Sequence, residues 1–156
     1  MDSSIYGIRK ATVKDLYYCM LVEQKYFNDN PRMCDELHDR VVPQNNYFYV
    51  CFLKKSTQII GCLKSEKLAS DIVHITIIVV EKQFRRRGIA HNLIARLIFD
   101  TQCAKLVLYV SASNDCALAF YHNQGFKIVS TINNFFKSGL SAYKMVLEDF
   151  NIFLPQ

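Results

Sequence analysis

Three consecutive arginines lie between a predicted buried strand and the start of a predicted helix. Arg85, Arg86 and Arg87 are followed directly by Gly88-Ile89-Ala90. A helix N-terminus presents unpaired N–H groups and about half a positive charge, and small residues let a phosphate approach the backbone. Guanidinium groups add forked hydrogen-bond donors. This pattern favours a phosphate-binding loop, and the alternative is a solvated basic turn.

A second segment combines a polar helix cap with a tyrosine two turns further on. Asn114 is predicted to cap a helix over 114–124, and Gly125 is predicted to end it. Tyr121 lies on this helix, where its hydroxyl could donate a proton as a general acid. The alternative is that Tyr121 only packs against the core, with its hydroxyl satisfied locally.

Strands and helices alternate along the chain in the pattern of a single α/β domain over residues 1–156. Apolar alternation and continuous apolar runs predict strands over 5–10, 47–54, 58–67, 70–80, 105–110, 126–133 and 142–148. Apolar residues at helical spacing predict helices over 13–27, 33–42, 87–100 and 114–124. The strand over 70–80 is β-branched and apolar on both faces, which predicts a central, doubly buried position. We therefore expect a mixed sheet flanked by helices.

Composition and charge exclude several classes of protein. The chain has 156 residues, of which 51% are hydrophobic and 21% charged, and this excludes a disordered chain and a fibre. The net charge is +5, and Arg85, Arg86 and Arg87 supply much of it in one loop, which argues against a nucleic-acid partner. The six cysteines lack CxxC spacing, so we expect reduced thiols and no metal. No secretory signal or membrane span is evident, so we expect a cytoplasmic protein.

Two motifs together resemble those of the GNAT superfamily, the acetyl-CoA-dependent N-acetyltransferases. Arg85-x-x-Gly88-x-Ala90 resembles the family's Gln/Arg-x-x-Gly-x-Gly/Ala signature. The second match is the segment Asn114-x-x-Ala117-x-x-x-Tyr121-x-x-x-Gly125-Phe126. The resemblance implies a mixed, mostly antiparallel sheet of about seven strands, splayed between the fourth and fifth, with about four flanking helices.

The same resemblance implies that acetyl-CoA is the cosubstrate and that no metal takes part. The amides of 86–90 would hold the pyrophosphate, and the backbone of Ile78 and Val80 would pair with the pantetheine arm. Tyr121 would donate a proton to the leaving thiolate. The residues implied to bind the cosubstrate are Ile78, Val80, Arg85, Arg86, Arg87, Gly88, Ile89, Ala90, Asn114 and Tyr121.

Within the superfamily the chain is most similar to protein N-terminal acetyltransferases, especially the NatE-type catalytic subunit. In those enzymes a tyrosine on the fourth strand and a histidine on the fifth flank the amine, bridged by a water. Here His74 and Tyr109 take the two places in exchanged order, so either is a candidate base. The alternative for His74 is a histidine satisfied within the sheet. Strand alternation predicts that one face, the one that meets the cosubstrate, carries His74, Thr76, Ile78 and Val80.

The predicted acceptor is the α-amine of a protein or peptide N-terminus. Phe135-Phe136 stand where NatE-type relatives have two tyrosines. The residues implied to bind the acceptor are Phe27, Thr76, Phe135 and Phe136. The alternatives are a lysine side chain or a small-molecule amine as acceptor, or a non-catalytic coenzyme A-binding module. The resemblance allows a NatA-like accessory subunit or the ribosome as a further partner, and no nucleic acid or membrane is expected.

Overall fold

A seven-stranded sheet forms the centre of the domain. The structure, a computed structural model, describes residues 5–27 and 46–155. The strands are β1 (Tyr6–Lys10), β2 (Asn46–Leu53), β3 (Ile59–Ala69), β4 (Ile72–Val80), β5 (Lys105–Ser111), β6 (Lys127–Ile132) and β7 (Ala142–Leu147). The α-helices of the described ranges are α1 (Val13–Phe27), α2 (Ile89–Thr101) and α3 (Asp115–Asn123). These elements confirm the predicted strands and three of the four predicted helices; the helix predicted over 33–42 lies outside the described residues.

The strand order shows where the sheet changes direction. The strands run in the order β1-β2-β3-β4-β5-β7-β6. Every neighbouring pair in this order is antiparallel except β4 and β5, which are parallel. The prediction of a mixed, mostly antiparallel sheet is therefore confirmed.

Two hydrophobic clusters cover the two faces of the sheet. On one face, called the α2 face, strand residues pack with the buried side of α2 and with α3; they include Val73, Ile75, Leu93, Leu97, Leu106 and Leu108. On the other, the α1 face, residues of α1 pack with β2, β3 and β4; they include Cys19, Val22, Val50, Cys62, Ile77 and Val79. The apolar character of β4 on both sides follows from this double burial.

A β-bulge interrupts β4 at Thr76. The register of β3 against β4 pairs Lys64 with Ile77 but Ser65 with Ile75, so Thr76 is the extra residue. Its hydroxyl donates a hydrogen bond to the carbonyl of Lys64 at 3.1 Å. Because side chains alternate with period two, one extra residue exchanges the two faces of the strand beyond it.

The bulge overturns the expected grouping of side chains on β4. His74 precedes the extra residue and falls on the α1 face, with Ile77 and Val79 beyond it. Ile78 and Val80 fall on the α2 face. The prediction that His74, Thr76, Ile78 and Val80 share one face is therefore wrong, because strict alternation does not survive the bulge.

Strands β4 and β5 separate shortly after they begin. They pair only over 72–74 and 105–107, after which β5 continues alongside β7 as far as Ser111. The amide of Glu81 donates to the carbonyl of Ile60 on β3 at 2.8 Å. By alternation, the backbone groups of Ile78 and Val80 point away from β3, into the gap between β4 and β5.

The backbone of β4 lies close to Gly61 of β3 and leaves no room for a side chain there. A Cβ at this position would lie 2.9 Å from the backbone oxygen of Val79. We predict that Gly61→Ala lowers the free energy of unfolding by about 1–3 kcal/mol, because a backbone atom cannot move aside as a side chain can. Urea denaturation measures the change. Leu68→Ala, at an exposed position of the same strand, is the control and should change the free energy of unfolding by less than about 0.5 kcal/mol. An equal effect of the two variants would contradict the prediction.

Candidate active site

The loop between β4 and α2 forms a row of backbone donors. Residues 85–88, called the arginine loop, run into α2, whose N-cap is Gly88. Arg86 has a left-handed φ of 60° and Gly88 one of 79°. Within the described ranges, no backbone or side-chain acceptor receives the amide hydrogens of 86–90. A loop that contains left-handed residues and ends at a helix N-terminus turns its N–H groups inward, which makes an anion-binding concavity.

Open space lies in front of these donors. A Cβ built on Gly88 would meet no atom within 4 Å, and the side chains of Arg86 and Arg87 are exposed. Arg87 lies over the ring of Phe84 at 5.5 Å. Donors, charge and free space thus fit a phosphate group, and the residues present fit the diphosphate of coenzyme A.

Arg85 differs from its two neighbours because its side chain turns back onto the protein. Its Nε donates to the carbonyl of Val80 at 2.8 Å, and its guanidinium lies 5.0 Å from the centre of the Tyr26 ring. These contacts connect the end of β4 to α1 and fix the first residue of the arginine loop. The carbonyl of Val80 already accepts this bond, whereas its N–H still points into the gap.

Glu81 ties α1 to the arginine loop at a second place. Its carboxylate accepts hydrogen bonds from the hydroxyls of Tyr18 and Tyr26, each at 3.0 Å, and from Nζ of Lys25 at 3.3 Å. Burial alone would raise the pKa of Glu81, but the three donated bonds outweigh it and lower this pKa. The sequence did not single out Glu81, although its place directly after the buried strand was a signal.

The acceptor residues predicted from sequence meet in a row of rings on the α1 face. The ring of Tyr109 lies edge-on to that of His74, with centroids 5.4 Å apart and an interplanar angle of 86°. Phe135 stacks on Tyr109 at 5.4 Å and 13°, and Phe136 meets Phe135 edge-on at 5.0 Å. These four residues are called the aromatic row. The side chain of Phe27 lies outside the described residues.

His74 also has an acidic neighbour that the sequence did not reveal. Nδ1 of His74 lies 3.0 Å from Oε1 of Glu66, its cross-strand partner on β3. The side chain of His74 is 7% exposed and that of Glu66 28%, so the ring is buried and the carboxylate is partly exposed. The pair depends on the β3–β4 register, which a reading of single strands does not supply.

A buried ion pair lies nearby on the α1 face. Oε1 of Glu23, on α1, is 3.3 Å from Nζ of Lys64, and the Glu23 side chain is 1% exposed. Neither carboxylate oxygen makes a hydrogen bond of good geometry with the described residues. Burial raises the pKa of Glu23, and the charge of Lys64 only partly offsets this.

Helix α3 carries the two remaining predicted residues. Oδ1 of Asn114 accepts from the amide of Ala117 at 3.2 Å, so its role as helix cap is confirmed. The Tyr121 ring packs between Phe120 and Phe126, with centroid distances of 5.3 and 5.5 Å. Burial raises the pKa of Tyr121 well above its usual range, so this phenol keeps its proton at neutral pH.

Metal-ligating clusters, paired thiols or long apolar helices would indicate other kinds of function. Over 5–27 and 46–155, no group of three or more His, Cys, Asp or Glu side chains could hold a metal ion. The cysteines in these ranges, Cys19, Cys51, Cys62, Cys103 and Cys116, are free thiols. None of the helices in these ranges is long and apolar enough to cross a bilayer.

Comparisons with known proteins identify the family of the chain. Residues 23–149 match the family model described as the acetyltransferase (GNAT) domain. N-alpha-acetyltransferase 30 of Dictyostelium discoideum is 30% identical over 110 residues, covering 66% of the chain and 60% of that protein. N-alpha-acetyltransferase MAK3 of Arabidopsis thaliana is 30% identical over 105 residues, covering 63% and 55%. The matched part of the chain thus spans little more than half the length of these curated relatives.

Solved structures share the fold at lower identity. NAA60 of Arabidopsis thaliana, crystallised with acetyl-CoA, superposes with a TM-score of 0.79 at 17% identity, covering 92% of this chain and 99% of that one. Spermidine N-acetyltransferase of Vibrio cholerae, in complex with CoA and spermine, has a TM-score of 0.76 at 17% identity, covering 97% and 99%. Because the family model matches residues 23–149, the chain belongs to the GNAT acetyltransferase family.

Removing the charge of Glu81 should destabilise the protein at neutral pH. We predict that Glu81→Gln lowers the free energy of unfolding by about 1–3 kcal/mol at pH 7, the value of hydrogen bonds to a buried charge. The folded pKa lies below the ordinary value of 4.5, so the stabilisation is full above that value and is lost as the pH falls through the folded pKa. Denaturation of both proteins between pH 3 and pH 7 measures the difference.

Glu148→Gln is the matched control, because Glu148 forms an exposed ion pair with Lys105 at 3.0 Å. A surface pair contributes about 1 kcal/mol or less. A loss in Glu81→Gln that stays constant down to pH 3 would show that the carboxylate charge is not its source.

Proposed function

We propose that the protein transfers the acetyl group of acetyl-CoA directly to the α-amine of a protein or peptide N-terminus. The observation that carries the proposal is the gap between β4 and β5, with donors of the arginine loop at one end and the His74–Tyr109 pair beside it. The two curated relatives are named N-alpha-acetyltransferases, which favours an α-amine as acceptor.

At the cosubstrate end of the proposed site, most of the groups that would bind coenzyme A are backbone amides and carbonyls. The amides of 86–90 would bind the pyrophosphate, with Arg86 and Arg87 adding charge from solvent. The N–H of Val80 and the backbone of Ile78 would pair with the pantetheine amides, placing the thioester between β4 and β5. The cosubstrate supplies the activated acetyl group, and the protein holds it against the acceptor. Asn114, as the cap of α3, would border the same gap.

The acceptor end must first remove a proton, because an ammonium group has no lone pair for attack. His74 is the proposed base, directly or through a water, since an imidazole accepts protons near neutral pH. Tyr109, edge-on to the His74 ring at 5.4 Å, would orient the amine or that water. Tyr121, a phenol whose pKa is raised by burial, would return a proton to the departing sulfur.

The aromatic row favours an extended peptide as acceptor. Phe135 and Phe136 lie on the segment between β6 and β7 and extend the row from Tyr109, giving an apolar wall along which a chain end could enter. Thr76, at the bulge, is a further proposed acceptor contact, and Phe27 is proposed as one from the resemblance alone. The second candidate is a polyamine or lysine acceptor, because a spermidine N-acetyltransferase shares the fold.

We further propose that the protein acts in the cytoplasm, and that an accessory subunit or the ribosome is its partner.

Matched acceptors test the choice between these classes. The protein is incubated with acetyl-CoA and peptides that differ in their first residue, with the same peptides blocked at the α-amine but containing lysine, and with spermidine. Transfer only to free α-amines is expected. Transfer only to lysine or spermidine would overturn the N-terminal assignment, and binding of coenzyme A with no transfer to any amine would reduce the protein to a binding module.

Loss of the proposed base should slow transfer without affecting cosubstrate binding. We predict that His74→Ala lowers kcat by about 10²-fold or more, the usual contribution of a general base, with unchanged affinity for coenzyme A. Steady-state kinetics and calorimetry measure the two quantities. His122→Ala, at an exposed position on α3, is the control. A wild-type kcat in His74→Ala would remove His74 from the mechanism.

Charge reversal in the arginine loop should weaken the binding of coenzyme A. We predict that Arg86→Glu weakens coenzyme A binding by about tenfold or more, because one charge-assisted contact is worth roughly 1.5–3 kcal/mol. Calorimetry with coenzyme A, and with its dephosphorylated pantetheine portion, measures the effect. Lys127→Glu, an exposed reversal on β6, is the control for long-range charge. If Arg86→Glu bound coenzyme A as tightly as Lys127→Glu, the phosphate assignment would fail.

A further inference from the structure

Glu66 lies where a carboxylate could set the protonation of His74. We infer that Glu66 is a positioning residue, which holds His74 with its proton on Nδ1 and compensates the positive charge that the ring gains on accepting a second proton. This inference rests on the proposed role of His74 as base. No motif and no strand pattern in the sequence indicated the contact between Glu66 and His74, since the two residues belong to different strands.

An ionised Glu66 determines the direction of its hydrogen bond with His74. Nδ1 of His74 and Oε1 of Glu66 are 3.0 Å apart, at hydrogen-bond distance. An ionised carboxylate can only accept, so the proton between them belongs to Nδ1. In a neutral imidazole with its proton on Nδ1, the lone pair is on Nε2, which becomes the basic nitrogen of the ring.

A second contact restrains the same ring from another strand. Tyr109 on β5 meets the His74 ring edge-on at 86°, and Tyr109 is itself stacked on Phe135. The imidazole is thus held by a carboxylate on β3 and by an aromatic ring on β5. A ring whose rotation is restrained on two sides loses little entropy when it takes part in the reaction.

Burial gives the carboxylate an electrostatic role as well. The His74 side chain is only 7% exposed, and burial disfavours a charged imidazolium. When the N–H bond of the acceptor ammonium breaks, its proton forms a bond to Nε2 and the lone pair stays on the amine. The resulting imidazolium is then paired with Glu66, whose opposite charge offsets the cost of burial.

Other titratable groups of the described residues share this face. Lys64 and Glu23 form the ion pair next to the bulge at Thr76. Lys144 on β7 is the cross-strand partner of Tyr109 and so lies on the same side of the sheet. Of the groups named here, Glu66 lies at hydrogen-bond distance from the His74 ring, so its removal should change the tautomer and the basicity of that ring.

Nuclear magnetic resonance of the free protein tests the first half of the inference. Nitrogen-15 spectra of the imidazoles, assigned to His74 by comparison with His74→Gln, should show the tautomer with hydrogen on Nδ1. Glu66→Leu should lose this preference, and Glu66→Asp should keep part of it. A wild-type ring protonated on Nε2, or the same tautomer in Glu66→Leu, would overturn the inference without any reference to activity.

Kinetics test the second half. In Glu66→Gln, which keeps an acceptor oxygen but no charge, kcat should fall by about tenfold, part of the general-base contribution. The affinity for coenzyme A should be unchanged. The acid limb of the kcat/KM profile should move to lower pH, because a histidine without its carboxylate partner has a lower pKa. Glu148→Gln, which removes a carboxylate from an exposed ion pair, should match the wild type in rate and profile.

The two proposals fail in different ways. If the wild-type protein transfers acetyl to no amine, the proposed function fails, while the tautomer measurement still decides whether Glu66 positions His74. If the wild type is active and Glu66→Gln has the wild-type rate and pH profile, the proposed function stands and the role of Glu66 is refuted.

Discussion

The early separation of β4 from β5 determines which backbone groups of β4 have no partner on a neighbouring strand. Two parallel strands that paired along their full length would satisfy each other's backbone and leave no entrance to the centre of the sheet. Here they pair only over 72–74 and 105–107, and β5 then follows β7. The backbone of Ile78 and Val80 therefore faces a gap, and a buried strand edge of this kind requires hydrogen-bonding partners. A ligand with amide groups along its length meets that requirement.

The contacts at the end of β4 hold this gap and its loop in place. Arg85 donates a hydrogen bond to the carbonyl of Val80, and Glu81 accepts hydrogen bonds from two tyrosines and a lysine of α1. Helix α1 is thereby connected to the arginine loop, for which phosphate binding is proposed. The bulge at Thr76 adds a second division, because it places His74 on the α1 face and Ile78 on the α2 face. In a strand without the bulge, the side chains of His74 and Ile78 would lie on the same face of the sheet.

Local signals in the sequence were enough to predict the helices and strands and the hydrogen-bond donors of the arginine loop. The spacing of apolar residues gave the bounds of α1 as 13–27, which the structure repeats, and Asn114 was predicted as a cap from its residue type and position. The arginine loop was predicted because helix ends and glycine have local physical consequences. The meeting of His74, Tyr109 and Phe135 followed from resemblance to a family, and the structure brings these rings together.

Features that depend on pairing between distant segments were not predictable in this way. The extra residue at Thr76 leaves β4 apolar on both faces, so the sequence pattern is the same with or without the bulge. Glu81 and Glu66 are unremarkable acidic residues until the fold brings Tyr18, Tyr26 and His74 to them. The inward turn of Arg85 likewise depends on the position of Tyr26. Each of these contacts joins residues from different elements, and only the tertiary structure defines them.

The proposed site can be tested by a crystal structure of the protein with a conjugate of peptide and coenzyme A. In this conjugate, an acetyl group joins the α-nitrogen of the peptide to the sulfur of coenzyme A. We expect the pyrophosphate within hydrogen-bond distance of the amides of 86–90 and the pantetheine arm beside Ile78 and Val80. We also expect the α-nitrogen within about 3 Å of His74 or one water away from it. A conjugate bound outside the gap between β4 and β5, or a nitrogen on the α2 face remote from His74, would refute the proposed site.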